Sequence, residues 1–201
     1  MTALGLILSG AIGYLLGCFS TGLMVSGKSK VDIRSLGSKS TGATNVTRVM
    51  GLGSGLVTFL GDAAKAALAV IIGWWLAGRD GGLLAGLMAI IGHNWPVFYG
   101  FKGGKGVACS VAVLLLNTPL EGAIACVLAV LIIAITRYVS LGSLTLLLTA
   151  ALLIPFTRGL WPYGVWAIVL FLIATYRHRT NIQRLLKGKE SKFTGSKHEN
   201  T

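Results

Sequence analysis

Acidic residues are scarce in this chain of 201 residues, which has 6 Asp and Glu against 18 Lys and Arg and a formal net charge of +12. Charged residues of both signs make up 12% of the sequence, roughly half the share that is usual in soluble domains. A positive excess can indicate nucleic-acid binding, but no RNA- or DNA-binding motif accompanies these cations, and they border apolar runs. We therefore expect an anionic lipid or an anionic substrate as the partner, and no nucleic acid.

Cysteine and histidine, which are common metal ligands, are also few, with three of each. Cys18, Cys109 and Cys126 lie in or beside apolar runs without the spacing of metal ligands, so neither a metal site nor a disulfide is predicted. No His is followed by Asp at the fifth place, and no Ser or Cys has a recognisable triad. The chain is expected to need no cofactor and to form no covalent enzyme intermediate.

Apolar residues make up 54% of the chain and are gathered into long runs. About 20 such residues cross the hydrocarbon core of a bilayer as a helix. We predict seven spans, at 3–25, 52–77, 81–98, 106–118, 121–137, 141–157 and 160–177. The fourth has 13 residues and would cross only with its flanking turn or by local thinning of the bilayer.

The predicted fold is an all-α integral membrane protein, a bundle of seven transmembrane helices with the N-terminus outside and the C-terminus in the cytoplasm. Because the first Lys is Lys28, the first run lacks the positive flank of a cleavable signal peptide and is read as a retained span. Residues 1–201 are expected to form a single membrane-embedded domain, with a polar tail that is mobile from about 189.

The distribution of positive charge supports the number of spans. Fifteen of the 18 Lys and Arg residues fall in four segments, at 26–50, 99–106, 137–141 and 177–201. Seven spans place all four segments on one side of the membrane, which the positive-inside rule identifies as the cytoplasmic side. Six spans would place the C-terminal tail, with its seven Lys and Arg, opposite the first basic segment.

The first basic segment combines glycines with hydroxyl, amide and guanidinium groups. Its candidates for phosphate binding are Ser38, Ser40, Thr44, Asn45 and Arg48. Loop N–H groups and hydroxyls can converge on an anion, to which an arginine adds a bidentate partner. The alternative is a turn-rich cytosolic loop that only follows the positive-inside bias. A nucleotide triphosphatase is rejected, because the glycine spacing of a Walker loop is present here without its lysine or a preceding strand.

The basic segments at 99–106 and 177–201 carry the remaining candidates. Together with the first basic segment, at 26–50, we call them the first, second and third polar segments. In the second, the candidates are Lys102, Gly103, Gly104 and Lys105. Glycines let the backbone approach an oxyanion, and the following helix points its N-terminal N–H groups at the same ion. The alternative is a flexible turn with two lysines that set the topology. In the third segment, His178 and Asn181 share one helical face and could bind a hydroxyl and a phosphate, or the helix could only bind anionic lipid.

Asp62 and Lys65 are charged residues within an apolar run. Such residues are costly in a bilayer and usually face the bundle interior or water. Their spacing of three residues suits an ion pair on one helix face, and a role in binding is the open alternative.

Three blocks of the sequence together resemble the bacterial PlsY family, the acyl-phosphate:glycerol-3-phosphate acyltransferases of the cytoplasmic membrane. The blocks are Gly-Ser-x-x-x-Gly-Ala-Thr-Asn at 37–45, Gly-His-x-x-Pro-Val-Phe with Lys-Gly-Gly-Lys-Gly-Val-Ala at 92–108, and Tyr-Arg-His-Arg-x-Asn-Ile-x-Arg-Leu with Gly-x-Glu at 176–190. The resemblance spans nearly the whole chain. It implies seven helices, an outside N-terminus, and a cytoplasmic site that joins fatty acyl phosphate to glycerol 3-phosphate, giving lysophosphatidic acid and phosphate in an early step of phospholipid synthesis.

The resemblance also implies residue roles. It places Ser38, Arg48, Lys105, His178 and Asn181 in the substrate site, and assigns Glu190 to support of the fold. His178 and Lys105 are the candidate catalytic residues. The sequence departs from the family at Lys39-Ser40, where Gly-Asn is usual, and at Cys109, where Thr is usual. Ser40 is expected to replace only the acceptor role of the usual Asn.

The base that takes the glycerol hydroxyl proton is left open between His178 and a substrate phosphate. The rival function is a transporter or channel for an anionic metabolite. A transporter predicts inverted repeats and charges distributed through the depth of the membrane, whereas the polar blocks of this chain gather at one face.

Overall fold

The computed structural model describes residues 2–193, and its regular elements within that range are all helical. The α-helices are α1 (Ala3–Cys18), α2 (Thr21–Lys28), α3 (Ala43–Met50), α4 (Leu52–Asn94), α5 (Val107–Asn117), α6 (Pro119–Thr136), α7 (Val139–Arg158), α8 (Val165–Arg177) and α9 (Arg179–Leu186). A 3₁₀ turn lies at Val97–Tyr99 and a π-helical turn at Leu160–Gly164. These residues divide into two compact units, 2–109 and 110–193, which we describe separately as unit 1 and unit 2.

Helix α4 of unit 1 is two helical arms joined by a break. Ala77 (φ −147°, ψ 29°) and Gly78 (φ 58°, ψ −147°) leave the helical region, and a positive φ favours glycine because it has no β-carbon. The arms are residues 52–76 and 79–94. Gly73 of the first arm packs on Gly81 of the second, so the chain reverses direction at the break.

Close contacts between backbones hold α1 against both arms of α4. A β-carbon at Gly13 would collide with the backbone of Ala85, and one at Gly17 with that of Ala89. These contacts between small residues bring the two helices close together, as is common in membrane proteins. Residue numbers increase together along the two helices, from Gly13 with Ala85 to Gly17 with Ala89, so α1 runs parallel to the second arm. The first arm is antiparallel to α1.

The first apolar run is interrupted between α1 and α2, which differs from the predicted continuous span 3–25. Phe19 and Ser20 are extended, and the Ser20 hydroxyl oxygen accepts a hydrogen bond from the N–H of Leu23 at 3.4 Å. Lys65 Nζ donates to the carbonyl oxygens of Gly17 and Phe19. These side-chain contacts satisfy backbone groups that a continuous helix would have paired internally.

Unit 2 contains an antiparallel pair of long helices, α6 and α7. A β-carbon at Gly142, near the start of α7, would lie 2.8 Å from the carbonyl oxygen of Ala129 in the second half of α6. At the other end of the pair, Arg158 donates two hydrogen bonds to Glu121, at 2.8 and 3.1 Å. The Thr157 hydroxyl donates a third to the same carboxylate at 2.8 Å. This ion pair joins the start of α6 to the end of α7.

Within residues 2–193, five helical segments are long and apolar enough to cross a membrane. They are Ala3–Lys28, Leu52–Tyr99, Pro119–Thr136, Val139–Arg158 and Leu160–Arg177. Val107–Asn117 is a shorter apolar helix. Large apolar side chains on these helices are exposed, including Trp75 at 91% and Phe156 at 90%, and exposed apolar surface of this extent suits contact with lipid.

The residues after α9 fold back on unit 2. The N–H of Lys189 donates to the carbonyl oxygen of Arg184 at 2.7 Å, and the N–H of Phe193 donates to that of Arg137 at 2.8 Å. Glu190 is buried. Lys189 and Phe193 therefore make specific backbone hydrogen bonds. The mobility of the tail from about 189 stays a prediction, and the rest of that tail lies outside the described residues.

Candidate functional site

Asn45 organises the loop between α2 and α3. Its side chain is buried, and its Oδ1 accepts a hydrogen bond from the N–H of Ser38 at 2.8 Å. Its Nδ2 lies within hydrogen-bonding distance of the carbonyl oxygens of Ile33 (3.1 Å), Leu36 (3.1 Å) and Ser40 (2.9 Å). One side chain therefore fixes four points of the loop, a structural role that the sequence did not predict. A substrate contact by Asn45 stays a prediction.

The other four candidates of this segment are placed on the loop and the helix that Asn45 holds. Ser38 is exposed, and Ser40, Thr44 and Arg48 are partly exposed. The Ser40 hydroxyl oxygen accepts a hydrogen bond from the N–H of Gly42 at 3.3 Å, which sets the turn into α3. Thr44 and Arg48 are four residues apart in α3, so they lie on the same helix face. The loop can present hydroxyls and a guanidinium together.

The glycine-rich loop before α5 packs against the end of α4. The N–H of Gly104 donates to the carbonyl oxygen of His93 at 3.1 Å. Gly106 has a φ of +78°, which turns the chain into α5. Lys105 is partly buried and Lys102 is exposed. The loop thus brings a lysine to the N-terminus of an eleven-residue helix, where backbone N–H groups and the helix dipole favour an anion.

A buried charged cluster lies beneath this loop in unit 1. Lys65 Nζ is 3.0 Å from Asp62 Oδ1, which confirms the predicted ion pair, and 3.1 Å from His93 Nδ1. Asp62 Oδ1 and His93 Nδ1 are 3.6 Å apart. The Lys65 ammonium therefore lies among the Asp62 carboxylate, the His93 ring and the carbonyl oxygens of Gly17 and Phe19. The sequence predicted the pair within one helix but not the histidine, which is 28 residues farther along the chain.

Cys109 connects the start of α5 to the same cluster. Its Sγ donates a hydrogen bond to the carbonyl oxygen of Asp62 at 3.2 Å, and its side chain is fully buried. This position, one of the two departures from the family pattern, therefore packs as a small core residue. The contact fixes the first turn of α5 against the first arm of α4.

In unit 2, His178 and Asn181 are both buried at the junction of α8 and α9. His178 Nδ1 lies 2.8 Å from the carbonyl oxygen of Ala174. A carbonyl oxygen only accepts, so Nδ1 carries a proton and Nε2 is the nitrogen that can take up another. Asn181 Nδ2 donates to Glu190 Oε1 at 2.6 Å, so this amide is held in place by a carboxylate.

Glu190 is the centre of a small hydrogen-bonded group. Besides Asn181, it accepts from the Ser140 hydroxyl at 2.7 Å and from Arg184 Nε at 2.7 Å. Burial alone would raise the pKa of the Glu190 carboxyl, but the hydrogen bonds from Asn181, Arg184 and Ser140 outweigh it and hold the pKa below its usual value. The sequence did not indicate Ser140, because it lies 50 residues from Glu190 and on another helix.

The sequence is similar to that of known enzymes over nearly its whole length. The profile of a family described as glycerol-3-phosphate acyltransferase matches residues 7–188. The glycerol-3-phosphate acyltransferase of Thermoanaerobacter pseudethanolicus is 42% identical over 188 residues, which cover 93% of this chain and 95% of that protein. The enzyme of the same name from Halalkalibacterium halodurans is 43% identical, with 94% of this chain and 95% of that protein covered.

The fold is also similar to two solved structures. One is the crystal structure of PlsY (YgiH), an integral membrane glycerol 3-phosphate acyltransferase, in its glycerol 3-phosphate form, with a TM-score of 0.89 at 36% identity over 94% of this chain and 95% of that chain. The other is its lysophosphatidic acid form, with a TM-score of 0.86 at 35% identity over 94% and 96%.

Proposed function

This chain belongs to the glycerol-3-phosphate acyltransferase family, and we propose that it transfers a fatty acyl group from an acyl phosphate to glycerol 3-phosphate. The products are 1-acylglycerol 3-phosphate (lysophosphatidic acid) and inorganic phosphate. The observation that carries the proposal is the similarity, over 94% of the chain, to PlsY in its glycerol 3-phosphate form. The family resemblance of the three motif blocks is thus confirmed.

The reaction determines what the protein has to do. The glycerol hydroxyl oxygen attacks the acyl carbonyl carbon, the bond from that carbon to the phosphate oxygen breaks, and the hydroxyl proton passes to a base. An acyl phosphate is a mixed anhydride, so its phosphate already leaves readily. The protein must therefore hold two anions in reacting geometry and stabilise the charge that develops on the departing phosphate.

We assign phosphate binding to the two polar segments of unit 1. The first comprises Ser38, Ser40, Thr44, Asn45 and Arg48, and the second comprises Lys102, Gly103, Gly104 and Lys105. Lys105 is the principal cation because it is partly buried at the N-terminus of α5, whose first N–H groups add positive potential. Lys102 is exposed, so water screens its charge more strongly.

In unit 2 we assign His178 and Asn181 to the acyl acceptor. Because Nδ1 donates to the carbonyl oxygen of Ala174, the lone pair of the neutral ring is on Nε2, which suits the acceptance of a hydrogen bond from a hydroxyl. Asn181 donates a hydrogen bond to Glu190, and this bond fixes the orientation of its amide group. We assign deprotonation of the glycerol hydroxyl to the phosphate of a substrate, and we assign to His178 the orientation of that hydroxyl.

Replacing His178 with asparagine tests that assignment. Asparagine keeps a donor and an acceptor but cannot take up the proton, and loss of a general base usually costs about 10²- to 10⁴-fold in kcat. We expect a loss below about tenfold, because the acceptor brings its own phosphate base with a pKa near 6. The measurement is kcat against pH for wild type and variant. A kcat below roughly one hundredth of wild type, with no acidic limb left in the profile, would instead identify His178 as the base.

The donor is tested directly by parallel assays. Purified protein in detergent is given glycerol 3-phosphate with acyl phosphate, acyl-CoA or acyl carrier protein as alternative donors. We expect lysophosphatidic acid to form with acyl phosphate only, since the proposed chemistry relies on the mixed anhydride. The rival transporter function is tested with the same purified protein after reconstitution into proteoliposomes. Uptake of glycerol 3-phosphate without any acyl transfer would favour the transporter and exclude the enzyme.

We further propose seven spans, an outside N-terminus and a bacterial cytoplasmic membrane with the site on the cytoplasmic side. The break at Ala77 and Gly78 turns one of the five long segments into two arms, which makes six spans. The apolar helix Val107–Asn117 is then the seventh. This number places the four basic segments on one side, as the positive-inside rule requires.

Cysteine labelling tests the topology. In a background without native cysteines, single cysteines replace Ser29, Lys187 or Arg79, which are all exposed. We expect a membrane-impermeant maleimide to label the Arg79→Cys protein in intact cells, and the other two only after the cells are opened. Labelling of Ser29→Cys or Lys187→Cys from outside would contradict the seven-span arrangement.

A further inference from the structure

His93 lies between the buried ion pair and the glycine-rich loop, although the proposed mechanism gives it no role. Its side chain is buried within unit 1, with 4% of its surface exposed. On one side, Nδ1 faces Lys65 Nζ at 3.1 Å, and Lys65 is itself fixed by Asp62 and by the carbonyl oxygen of Gly17 at 2.9 Å. The Nδ1 side of the ring is therefore held by Lys65, which is itself held by Asp62 and by the backbone of Gly17.

The opposite edge of the ring supports Gly104. The three heavy atoms that a β-carbon at Gly104 would meet first are Nε2, Cε1 and Cδ2 of His93. The same residue also accepts the N–H of Gly104 through its carbonyl oxygen. Gly104 thus rests on the imidazole edge, one residue before the lysine that we assign to phosphate.

Gly103 is constrained differently. A β-carbon there would meet the carbonyl oxygens of His93 and Asn94 and the ring of Pro96. Those atoms belong to the backbone or to a neighbouring proline, so they remain whatever side chain is present at position 93. The two adjacent glycines therefore separate an effect of the His93 side chain from an effect of the surrounding backbone.

We infer that His93 is a positioning residue for the phosphate-binding loop: its imidazole, held by Lys65 and Asp62, fixes Gly104 and thereby sets where Lys105 and the N-terminus of α5 meet the anion. The inference rests on the proposed function, since it names what supports the loop assigned there to phosphate. His93 touches no substrate in this scheme, and it acts through Gly104.

Two substitutions of His93 test the Nδ1 side and the Nε2 side of the imidazole separately. His93→Asn retains a polar atom near the Nδ1 position for Lys65 but removes Nε2 and Cε1, which support Gly104. His93→Gln is longer and places an amide atom near the position of Nε2. We expect His93→Asn to raise the KM for glycerol 3-phosphate or for acyl phosphate by about three- to tenfold with little change in kcat, and His93→Gln to stay within about threefold of wild type.

A double-mutant cycle gives the decisive test. Gly104→Ala in the wild-type background should raise the same KM by at least about tenfold, because an added methyl group in a tight contact displaces its neighbours. In the His93→Asn background the same change should cost less than about threefold, since Nε2 and Cε1, the two atoms that the added methyl group would meet first, are gone. In the His93→Gln background the cost should return. Gly103→Ala serves as the matched control and should cost the same in all three backgrounds.

The readouts also distinguish this inference from the proposed function. Each variant is assayed for acyl transfer, for the Kd of glycerol 3-phosphate by calorimetry in detergent, and for Tm to confirm folding. If wild type binds glycerol 3-phosphate but transfers no acyl group, the proposed function fails, and the cycle is still read from Kd. Equal costs of Gly104→Ala in all backgrounds, or absence of glycerol 3-phosphate binding by wild type, would overturn the role of His93.

Discussion

Replacing Lys105 with alanine is expected to lower kcat/KM for acyl transfer by roughly 30- to 1,000-fold, a loss on the order of 2–4 kcal/mol in transition-state stabilisation. The reason is its position: Lys105 is partly buried at the N-terminus of α5, where its charge acts with the first backbone N–H groups on the departing phosphate. The measurement is steady-state kinetics with acyl phosphate and glycerol 3-phosphate varied independently.

Lys102→Ala is the matched control for that experiment. It removes the same charge from the same loop, but Lys102 is exposed and its charge is screened by water. We expect its effect on kcat/KM to be clearly smaller than that of Lys105→Ala. Equal and small losses for both variants would reduce the loop to a turn whose lysines only set the membrane topology.

Replacing Glu190 with alanine is expected to destabilise the protein by on the order of 2–4 kcal/mol, because it leaves the buried Ser140 hydroxyl and Asn181 amide without their acceptor. The unfolding free energy is measured by thermal or denaturant unfolding in detergent. Arg184→Ala is the control: it removes a partner of the same carboxylate that is 41% exposed, and such pairs contribute about 1 kcal/mol or less. A loss for Arg184→Ala as large as that for Glu190→Ala would contradict the assignment.

The pH dependence of this contribution has a defined sign. Because the hydrogen bonds hold the pKa of Glu190 below its usual value, the carboxylate contributes stability above the usual glutamate range, and the contribution is lost as the pH falls through the lowered pKa. The difference in unfolding free energy between wild type and Glu190→Gln should therefore be largest near neutral pH and should shrink below about pH 4. A difference that grows on acidification would contradict the direction of the shift.

The sequence alone was sufficient for the two long helices of unit 2, α6 and α7, and for the family. The predicted spans 121–137 and 141–157 lie close to Pro119–Thr136 and Val139–Arg158, because the length of an apolar run is a local property of the chain. The family followed from three polar blocks that interrupt these runs in a fixed order, a pattern that needs no tertiary contact to be recognised.

The run at 3–25 shows where this local reasoning stops. Nothing in its composition marks Phe19 and Ser20 as a break, since both residues occur within helices. The helix ends there because Lys65, on another helix, donates to the carbonyl oxygens of Gly17 and Phe19. The break at Gly78, in contrast, lies at the connection that the predicted spans 52–77 and 81–98 leave between them, and the structure adds its φ of 58°.

What the sequence by itself determined was the helical membrane fold, the family and the segments that carry the polar chemistry. The tertiary structure decided which of those polar side chains support one another: Asn45 with the loop that it closes, His93 with Lys65 and Gly104, and Glu190 with Ser140 and Asn181. Periodicity shows which residues share a face of a helix, but the rotation of that helix against its neighbours depends on the packing of every side chain between them. Contacts between residues 28 or 50 positions apart are therefore fixed only when the helices have packed.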